Sequence, residues 1–353
     1  MSDGSMTDTE LAKGRSPGST PAPTRRSWRT LLGFRNVGAI YVLIVISIFF
    51  AFLAPHSFPN VATVKQVLNT SAITALAGLA LVIPLSARVF DLSFAYTISL
   101  SGCIAAELMT QSHIPALWAI LIAVGASVAV GLVNGIVVVK MKIDSFIGTL
   151  ATGSLIQALI TLFTQDNTVT GSQMTGNFAL IGQKAFGGIT LPVVYALVIA
   201  FAIWYLMEHT PTGRRIYATG FNYDAARLAN IRVDRIRFLS LVSSSFVAGL
   251  AGIVLASTIG AGSPTTGVSY LLPAYAAAFL GATQFKGGRF NAWGTIVAVL
   301  LLGVGATGLA LASAPPWADS LFTGVVLIAA LGANGFQRRS IRSIVSSRHS
   351  GGS

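Results

Sequence analysis

The segment Asn222–Arg237, N-Y-D-A-A-R-L-A-N-I-R-V-D-R-I-R, is a compact charged stretch between two long apolar runs. It predicts a two-turn helix: Asn222 suits the N-cap, Asp224 in the first turn favours the helix dipole, and Asn230 tolerates the left-handed conformation after the last turn. Asp234 is predicted to cap the apolar run that follows. Because so short a helix is marginal alone in water, it must rest on another surface.

The chain as a whole is too apolar for a water-soluble protein. Of its 353 residues, 53 % are hydrophobic and 10 % are charged, and the mean hydropathy is +0.73. Soluble domains carry about 25 % charged residues. The composition therefore predicts a protein of the lipid bilayer.

The apolar residues fall into ten runs, and a helix of about 20 residues crosses the hydrocarbon layer. We predict an all-α polytopic integral membrane protein with about ten transmembrane helices, near residues 37–54, 70–86, 91–109, 115–139, 146–164, 191–207, 238–258, 269–284, 290–312 and 318–335. Residues 1–36, rich in Pro, Ser, Thr and Gly, are predicted to be a disordered tail. Residues 37–336 form the predicted transmembrane domain, and residues 337–353 a basic tail.

The lysines and arginines predict the orientation, because loops on the cytoplasmic side collect basic residues. With the N-terminus inside, all but two of the 23 basic residues fall on that side, six of them in the loop 208–237. The exceptions are Lys65 and Lys184. Both termini are therefore predicted to be cytoplasmic. The net charge of +12 is assigned to topology and not to nucleic-acid binding.

Two acidic residues within the apolar runs, Asp91 and Glu107, are candidates for functional sites. On a single helix they would be about 24 Å and about 160° apart, which argues against a paired-carboxylate proton relay. Asp91 is predicted to accept backbone N–H bonds at the start of the following helix. A functional role for its carboxylate is the alternative, and Glu107 is predicted to be interfacial.

The sequence lacks the motifs of ATP hydrolysis, hydrolase chemistry and metal binding. It has no G-x-x-x-x-G-K-[ST] loop for nucleotide phosphates and no H-E-x-x-H pattern, and its four histidines share no metal-ligand spacing. A single cysteine, Cys103, excludes a disulfide framework. We predict a chain that is not an enzyme, has no metal site and is energised by a partner or a gradient.

Several stretches occur in the order and at the spacing of one family of transport proteins. They are D-L-S at 91–93, G-L-V-N-G at 131–135 leading to F-I-G-T-L at 146–150, G-R-R-I-Y-A-T-G-F-N-Y-D-A-A-R-L-A-N-I at 213–231, and L-G-A-T-Q-F-K-G-G-R-F at 280–290. Over roughly residues 40–335 the chain resembles the membrane permease subunits of bacterial ABC importers for sugars, the ribose-type family. It departs from the family pattern at Asn230, where Gly is usual, and at A-R-V-F-D-L-S-F-A-Y, where the family more often has G-G-I-D-L-S-V-G.

The resemblance implies a multi-pass permease domain in the bacterial cytoplasmic membrane, with residues 208–237 as a coupling loop. Its helix would dock on separate cytoplasmic ATP-binding subunits, which bind ATP and Mg²⁺, so that this chain holds no cofactor. A second permease copy or homologue would pair with it in the lipid bilayer. An extracytoplasmic sugar-binding protein would deliver a monosaccharide or a related polyol. The implied coupling residues are Tyr223, Asp224, Ala225, Ala226, Arg227 and Leu228.

Polar residues within the predicted spans are candidates for the substrate path, because hydroxyl and amide groups suit the hydroxyl groups of a sugar. The candidates are Asp91, Ser93, Tyr96, Asn134, Thr149 and Gln157. The alternative is that these side chains bond only to neighbouring helices.

Other interpretations stay open from the residues alone. The helix after Asn222 could lie on the lipid surface. The outer loop 165–190, which the resemblance assigns to the binding protein, could be an ordinary Ω-loop. An ion-gradient-driven secondary transporter would need an ion or proton site at broken helices, and a lipid-acting membrane enzyme would need clustered acidic or histidine residues.

Overall fold

The computed structural model describes residues 34–284 and 288–329, with side chains from Tyr41 onward except that of Gln284. Most of the predicted N-terminal tail, the predicted C-terminal tail and the end of the last predicted span lie outside these residues. The helices are α1 (Phe34–Leu53), α2 (Val61–Ser86), α3 (Ser93–Thr110), α4 (Ala116–Gly135), α5 (Ser145–Thr164), α6 (Ser172–Thr175), α7 (Leu180–Gln183), α8 (Leu191–His209), α9 (Pro211–Phe221), α10 (Tyr223–Leu228), α11 (Val233–Ile259), α12 (Leu271–Gln284), α13 (Ala292–Leu311) and α14 (Trp317–Ala329). A π-helical turn, Ile136–Lys140, extends α4, and a 3₁₀ turn, Thr266–Tyr270, precedes α12.

Four strands of two residues each interrupt the helices within the described part of the chain. β1 (Val169–Thr170) pairs antiparallel with β4 (Ala261–Gly262), and β2 (Ala185–Phe186) pairs antiparallel with β3 (Ile189–Thr190). All four lie in segments predicted to be on the outer side. Apart from these short strands, the prediction of an all-helical polytopic protein is confirmed.

Within residues 34–284 and 288–329, each of the ten apolar runs contains a helix, and six of these helices are long and apolar enough to cross a membrane: α2, α4 with its π-helical turn, α5, α8, α11 and α13. In the described residues, α14 and the apolar part of α1, Tyr41–Leu53, are shorter. The start of α2 differs from the prediction near residue 70. Asn60 caps this helix by accepting the N–H of Ala62 at 3.1 Å, so the polar residues ahead of the apolar run are also helical.

The centre of the bundle is formed by α2, α3 and α11. In the most apolar 18-residue stretch of each helix, 78 % of the residues of α2 and 67 % of those of α11 are buried. The corresponding share for α4 is 22 %. Helix α3 crosses α11 closely at Gly252, where a β-carbon would collide with Ser101 and with the carbonyl of Ile98. Small residues allow such close approach, which is how membrane helices pack when lipid is as apolar as their side chains.

Two breaks in the helices meet around α3. The first, residues 87–92 between α2 and α3, contains Arg88 in the left-handed region at φ 54°. The second, residues 260–270 between α11 and α12, reaches α3 where the N–H of Gly267 donates to Ser99 Oγ at 2.9 Å. The hydroxyl of Tyr275 in α12 donates to the carbonyl of Asp91 at 2.9 Å. The first break is therefore bonded to α12, the helix that follows the second break.

Candidate functional site

The charged segment of the sequence folds as α10 and stops as predicted. Asn222 caps the helix, its Oδ1 accepting the N–H of Ala225 at 3.0 Å. Asn230 has a φ of 59°, and the N–H groups of Asn230 and Ile231 donate to carbonyls of the last turn, each at 3.0 Å. This is the Schellman arrangement, which satisfies carbonyls that a helix end would otherwise leave unpaired. The predicted cap and left-handed stop are confirmed.

Most of the predicted coupling residues are exposed in this structure. The exposed ones are Tyr223, Asp224, Ala225, Arg227 and Leu228. Leu228 is 89 % exposed, so its side chain makes little contact with the rest of the chain. Ala226 is only 4 % exposed, so its side chain packs towards the rest of the chain.

The predicted capping role of Asp234 is wrong. Arg232 occupies the cap position of α11, and no side chain there accepts a backbone N–H. Asp234 lies in the first turn instead and accepts the hydroxyl of Tyr223 at 3.2 Å. This bond ties the first residue of α10 to α11.

The predicted cytoplasmic loop 208–237 contains a second helix, α9, which is not among the predicted helices. Thr210 caps it by accepting the N–H of Gly213 at 3.2 Å, and Pro211 occupies its first position. A threonine followed by proline is a readable signal for a helix start. Phe221, at the end of α9, is 86 % exposed and was also missed.

Helix α9 contacts two distant parts of the bundle. Gly220 lies directly against the carbonyl of Ser86, the last residue of α2, where a β-carbon could not fit. The hydroxyl of Tyr217 donates to the carbonyl of Phe290 at 2.9 Å, and the guanidinium of Arg289 lies 5.4 Å from the centre of the Tyr217 ring. Burial raises the pKa of Tyr217 above its ordinary range, so its hydroxyl stays a hydrogen-bond donor.

Four of the six predicted path residues meet at the first break. Asp91 Oδ1 accepts the N–H and the hydroxyl of Ser93, at 3.0 and 2.6 Å. Ser93 Oγ also accepts the side-chain amide of Asn134 at 2.6 Å. Thr149 Oγ1 accepts the N–H of Leu92 at 3.0 Å. Asp91 thus accepts a backbone N–H at the start of α3, as predicted, although Leu92 is the cap residue itself.

These four side chains have no solvent exposure, yet two of them retain unpaired oxygens. Within the described residues, Asp91 Oδ2 and Asn134 Oδ1 have no hydrogen-bond partner. Ser244 of α11 faces the Asp91 carboxylate, but its hydroxyl is not in bonding geometry. Unpaired buried acceptors are costly, and they favour any ligand that brings hydroxyl or amide donors.

The remaining two path residues lie between α3 and α5. The ring of Tyr96 is packed against Gly153 of α5 and is half-buried. Gln157, one turn further along α5, has a buried Oε1 without a partner in the described part of the chain. Within the described residues, neither Tyr96 nor Gln157 bonds to the Asp91 network. Glu107 is half-buried near the end of α3.

No group of three or more His, Cys, Asp or Glu residues that could hold a metal ion is found within residues 34–284 and 288–329. The chemistry that the described polar groups offer is hydrogen bonding.

Comparison with known proteins identifies the family. Residues 63–331 match the protein family described as "Branched-chain amino acid transport system / permease component". The chain belongs to this permease family. It is a multi-pass membrane protein of the ABC permease type, a transport subunit and not an enzyme, so the resemblance noted in the sequence is confirmed.

Relatives of the permease match along almost their whole length. The permease is 32 % identical over 298 residues to the ribose import permease protein RbsC of Bacillus subtilis. This match covers 84 % of the permease and 92 % of the relative. It is 28 % identical over 310 residues to the D-allose transport system permease protein AlsC of Escherichia coli, with coverages of 88 % and 94 %. The L-arabinose ABC transporter permease protein AraH of Azospirillum brasilense is 29 % identical over 335 residues, with coverages of 93 % and 96 %.

Proposed function

We propose that this permease forms the translocation path of an ATP-driven importer for a monosaccharide or a related polyol. The observation that carries the proposal is α10, a capped helix with exposed side chains in the basic loop, in a chain that has no nucleotide-binding loop. The substrate class is supported by the names of the relatives, which are permeases for ribose, allose and L-arabinose.

In this proposal all ten apolar helices cross a bacterial cytoplasmic membrane, and both termini are cytoplasmic. Residues 1–36 and 337–353 are the tails on either side of the permease domain 37–336. Contacts between distant segments support the topology because they join loops assigned to the same side. Strand β1 pairs with β4 across two outer segments, and Tyr217 bonds to Phe290 across two inner segments.

The partners follow from the same proposal. Two cytoplasmic ATP-binding subunits hold the ATP and Mg²⁺, so this chain needs no cofactor. A second permease copy or a homologue completes the path in the bilayer, and an extracytoplasmic sugar-binding protein delivers the substrate.

The surface that meets the ATP-binding subunit, here called the coupling face, consists of Phe221, Tyr223, Arg227 and Leu228, beside the small or acidic Ala225 and Asp224. Aromatic, arginine and large apolar side chains are those that carry most binding energy in protein interfaces. Phe221 and Leu228 are 86 % and 89 % exposed, so they are free to enter a cleft of the partner.

Helices α9 and α10 connect this face to the path. Movement of α10 is passed to α11 through the Tyr223–Asp234 bond and to α2 through the contact of Gly220 with Ser86. Ser86 directly precedes the first break, whose backbone is held by the Asp91 network. A shift there would change access to the unpaired oxygens of Asp91 and Asn134, which can accept hydrogen bonds from sugar hydroxyls.

The experiment that tests this function is affinity purification of the tagged permease in mild detergent. The native chain is compared with a variant carrying Ala225→Arg and Leu228→Asp, which places charge on the coupling face. We expect an ATP-binding subunit to co-purify with the native chain and to be lost from the variant, because a buried unpaired charge weakens an interface by several kcal/mol, about 2–5.

A control is Met141→Asp, which introduces the same negative charge as Leu228→Asp at a methionine that is 61 % exposed on the same predicted side. This variant should retain the ATP-binding subunit. If no ATP-binding subunit accompanies the native chain under conditions that preserve such complexes, the importer proposal fails. Ion-gradient transport assays on Asp91→Asn and Glu107→Gln variants would then test the secondary-transporter alternative.

A further inference from the structure

Helix α8 carries an exposed apolar stripe along one side. Its members follow one another at intervals of three or four residues or lie side by side, so they share a face of the helix. They are Val194, Leu197, Val198, Phe201 and Tyr205. The small residues Ala196 and Ala200 are buried against the bundle instead. Because small residues favour contact between membrane helices, the large side chains of the stripe fit lipid chains better than a second helix.

The stripe ends in a cluster of rings at the last turn of α8. The ring of His209 is stacked on that of Tyr205, with centres 5.5 Å apart, and meets the ring of Trp204 edge-on at 4.6 Å. Tyr205 and His209 are exposed. Amphipathic rings such as those of Trp and Tyr collect where a membrane meets water. The cluster therefore places this end of α8 at the level of the lipid headgroups.

The first turn of α9 lies directly against the same end of α8. A β-carbon at Gly213 would collide with the carbonyls of Leu206 and Met207, so the two helices touch there through their backbones. Arg214 and Arg215 follow at once in the chain and are both exposed. The two arginines consequently lie at about the membrane depth of the ring cluster.

The described part of the chain does not neutralise these two arginines. Neither has an acidic partner within residues 34–284 and 288–329. The acidic residue nearest in sequence, Glu208, interacts with Tyr217, whose hydroxyl bonds to Phe290. Both guanidinium groups are thus available to a ligand, and their planar N–H groups suit the oxygens of a phosphate.

We propose that the adjoining ends of α8 and α9 bind one anionic phospholipid of the leaflet on the predicted inner side. Its acyl chains lie along the apolar stripe, its glycerol region contacts Tyr205 and His209, and its phosphate accepts hydrogen bonds from Arg214 and Arg215. We name these four residues the headgroup site. The inference goes beyond the proposed function, since it does not depend on which partner energises transport.

The order of the groups along the surface favours a phospholipid over a soluble partner. Apolar stripe, rings and positive charges follow one another as acyl chain, glycerol and phosphate do in the lipid. Two positive charges without an acidic neighbour favour a headgroup with a net negative charge, such as that of phosphatidylglycerol, over a zwitterionic one.

The test uses the purified permease, together with any ATP-binding subunits that it retains, in mild detergent. The probe is phosphatidylglycerol, added in steps, and native mass spectrometry of the bound lipid gives its Kd. Phosphatidylcholine with the same acyl chains is the reference. We expect the native protein to bind phosphatidylglycerol at least about five-fold more tightly than phosphatidylcholine. Arg214→Gln with Arg215→Gln should reduce this preference to within about two-fold.

Two further variants separate a defined site from the general charge of the loop. Arg232→Gln with Arg235→Gln removes two exposed charges from the same predicted loop but outside α8 and α9, and should keep the preference for phosphatidylglycerol. Tyr205→Ala should weaken the binding of both lipids alike, because the ring contacts a part that the two lipids share. An unchanged melting temperature verifies that the arginine variants are folded.

Three outcomes would overturn the lipid proposal. The first is equal affinity of the native protein for the two lipids. The second is an equal loss of preference in both pairs of arginine variants, which would indicate diffuse attraction by the loop. The third is loss of the ATP-binding subunit from the Arg214→Gln, Arg215→Gln variant with its lipid preference unchanged, which would assign these arginines to that partner. Failure of the proposed function is seen separately, as absence of ATP-binding subunits from the native protein.

Discussion

Ser93 holds two other side chains in place at the first break. Its hydroxyl donates to Asp91 and accepts from Asn134, each at 2.6 Å, and none of the three is exposed. Because water has no access to these atoms, a lost partner is not replaced by solvent. The link between Asp91 and Asn134 therefore depends on this one hydroxyl.

Replacing Ser93 by Ala should lower the free energy of unfolding by about 1–3 kcal/mol, because it leaves the Asn134 amide without its acceptor. Unfolding of the purified protein in detergent, followed by thermal or denaturant titration, measures the change. The control is Ser154→Ala on α5, whose hydroxyl is exposed and bonds only within its own helix. We expect a change of no more than about 0.5 kcal/mol there. Equal losses in the two variants would contradict the role given to Ser93.

The residues that the sequence predicts well are those whose partners are local. Asn222 and Asn230 act on backbone groups within a few positions of themselves, so their roles follow from the order of residues. Asp91 accepts a bond to its backbone from Tyr275, which is 184 positions away. No local pattern encodes such a contact, and the sequence names Asp91 as a candidate only because a carboxylate in an apolar run is costly.

At the scale of elements, α9 joins the coupling face to the helical bundle. Its close contact with α2 depends on the absence of a side chain at Gly220. Its other anchor, the Tyr217–Phe290 bond, joins it to the turn before α13. A change in the contact between Gly220 and Ser86 should affect the transfer of movement from α9 to α2 more than it affects docking of the ATP-binding subunit.

We therefore expect Gly220→Ala to keep the ATP-binding subunits attached while ATP hydrolysis no longer responds to the solute-binding protein and substrate. The added β-carbon would collide with the carbonyl of Ser86 and push α9 away from α2. Co-purification and stimulated ATPase activity of the reconstituted complex measure the two effects. Gly125→Ala on α4 is the control, since a β-carbon there meets no atom within 4 Å. Normal stimulation of ATP hydrolysis in the Gly220→Ala variant would rule out transfer of movement through the contact of α9 with α2.

The boundaries of elements were predicted less well than their existence. The start of α2 was placed too late because hydropathy marks the apolar core of a helix and not its polar first turns. The Asn60 cap gives the correct start. For α9, the signal in Thr210 and Pro211 is plain, but it lies in a stretch whose arginines predict a loop.

At the scale of the molecule, the orientation in the membrane can be tested by labelling. In a Cys103→Ala background, Gly187→Cys, between β2 and β3, should react in intact cells with a membrane-impermeant maleimide. Leu228→Cys on α10 should react only after the membrane is opened, because the coupling face is assigned to the cytoplasm. The reverse pattern would invert the topology and with it the assignment of partners.

The presence of a helix in each apolar run was predictable, because the runs are apolar and are separated from one another by polar or turn-forming residues. The strands β1 and β4 were not predictable from the sequence, since they lie far apart in the chain and pair over only two residues. Their pairing depends on the packing of α3 and α11, which small residues such as Gly252 allow. Tertiary packing of this kind leaves little trace in a hydropathy pattern.

The hydroxyl of Tyr275 ties the break before α3 to the first turns of α12, which start from the break on the opposite predicted side. A channel with two independent gates would leak whenever thermal motion opened both at once. A buried bond instead joins the two breaks here, so a displacement of one would be passed to the other. Such a linkage would hold solute flow to a fixed stoichiometry per cycle and keep the membrane sealed between cycles.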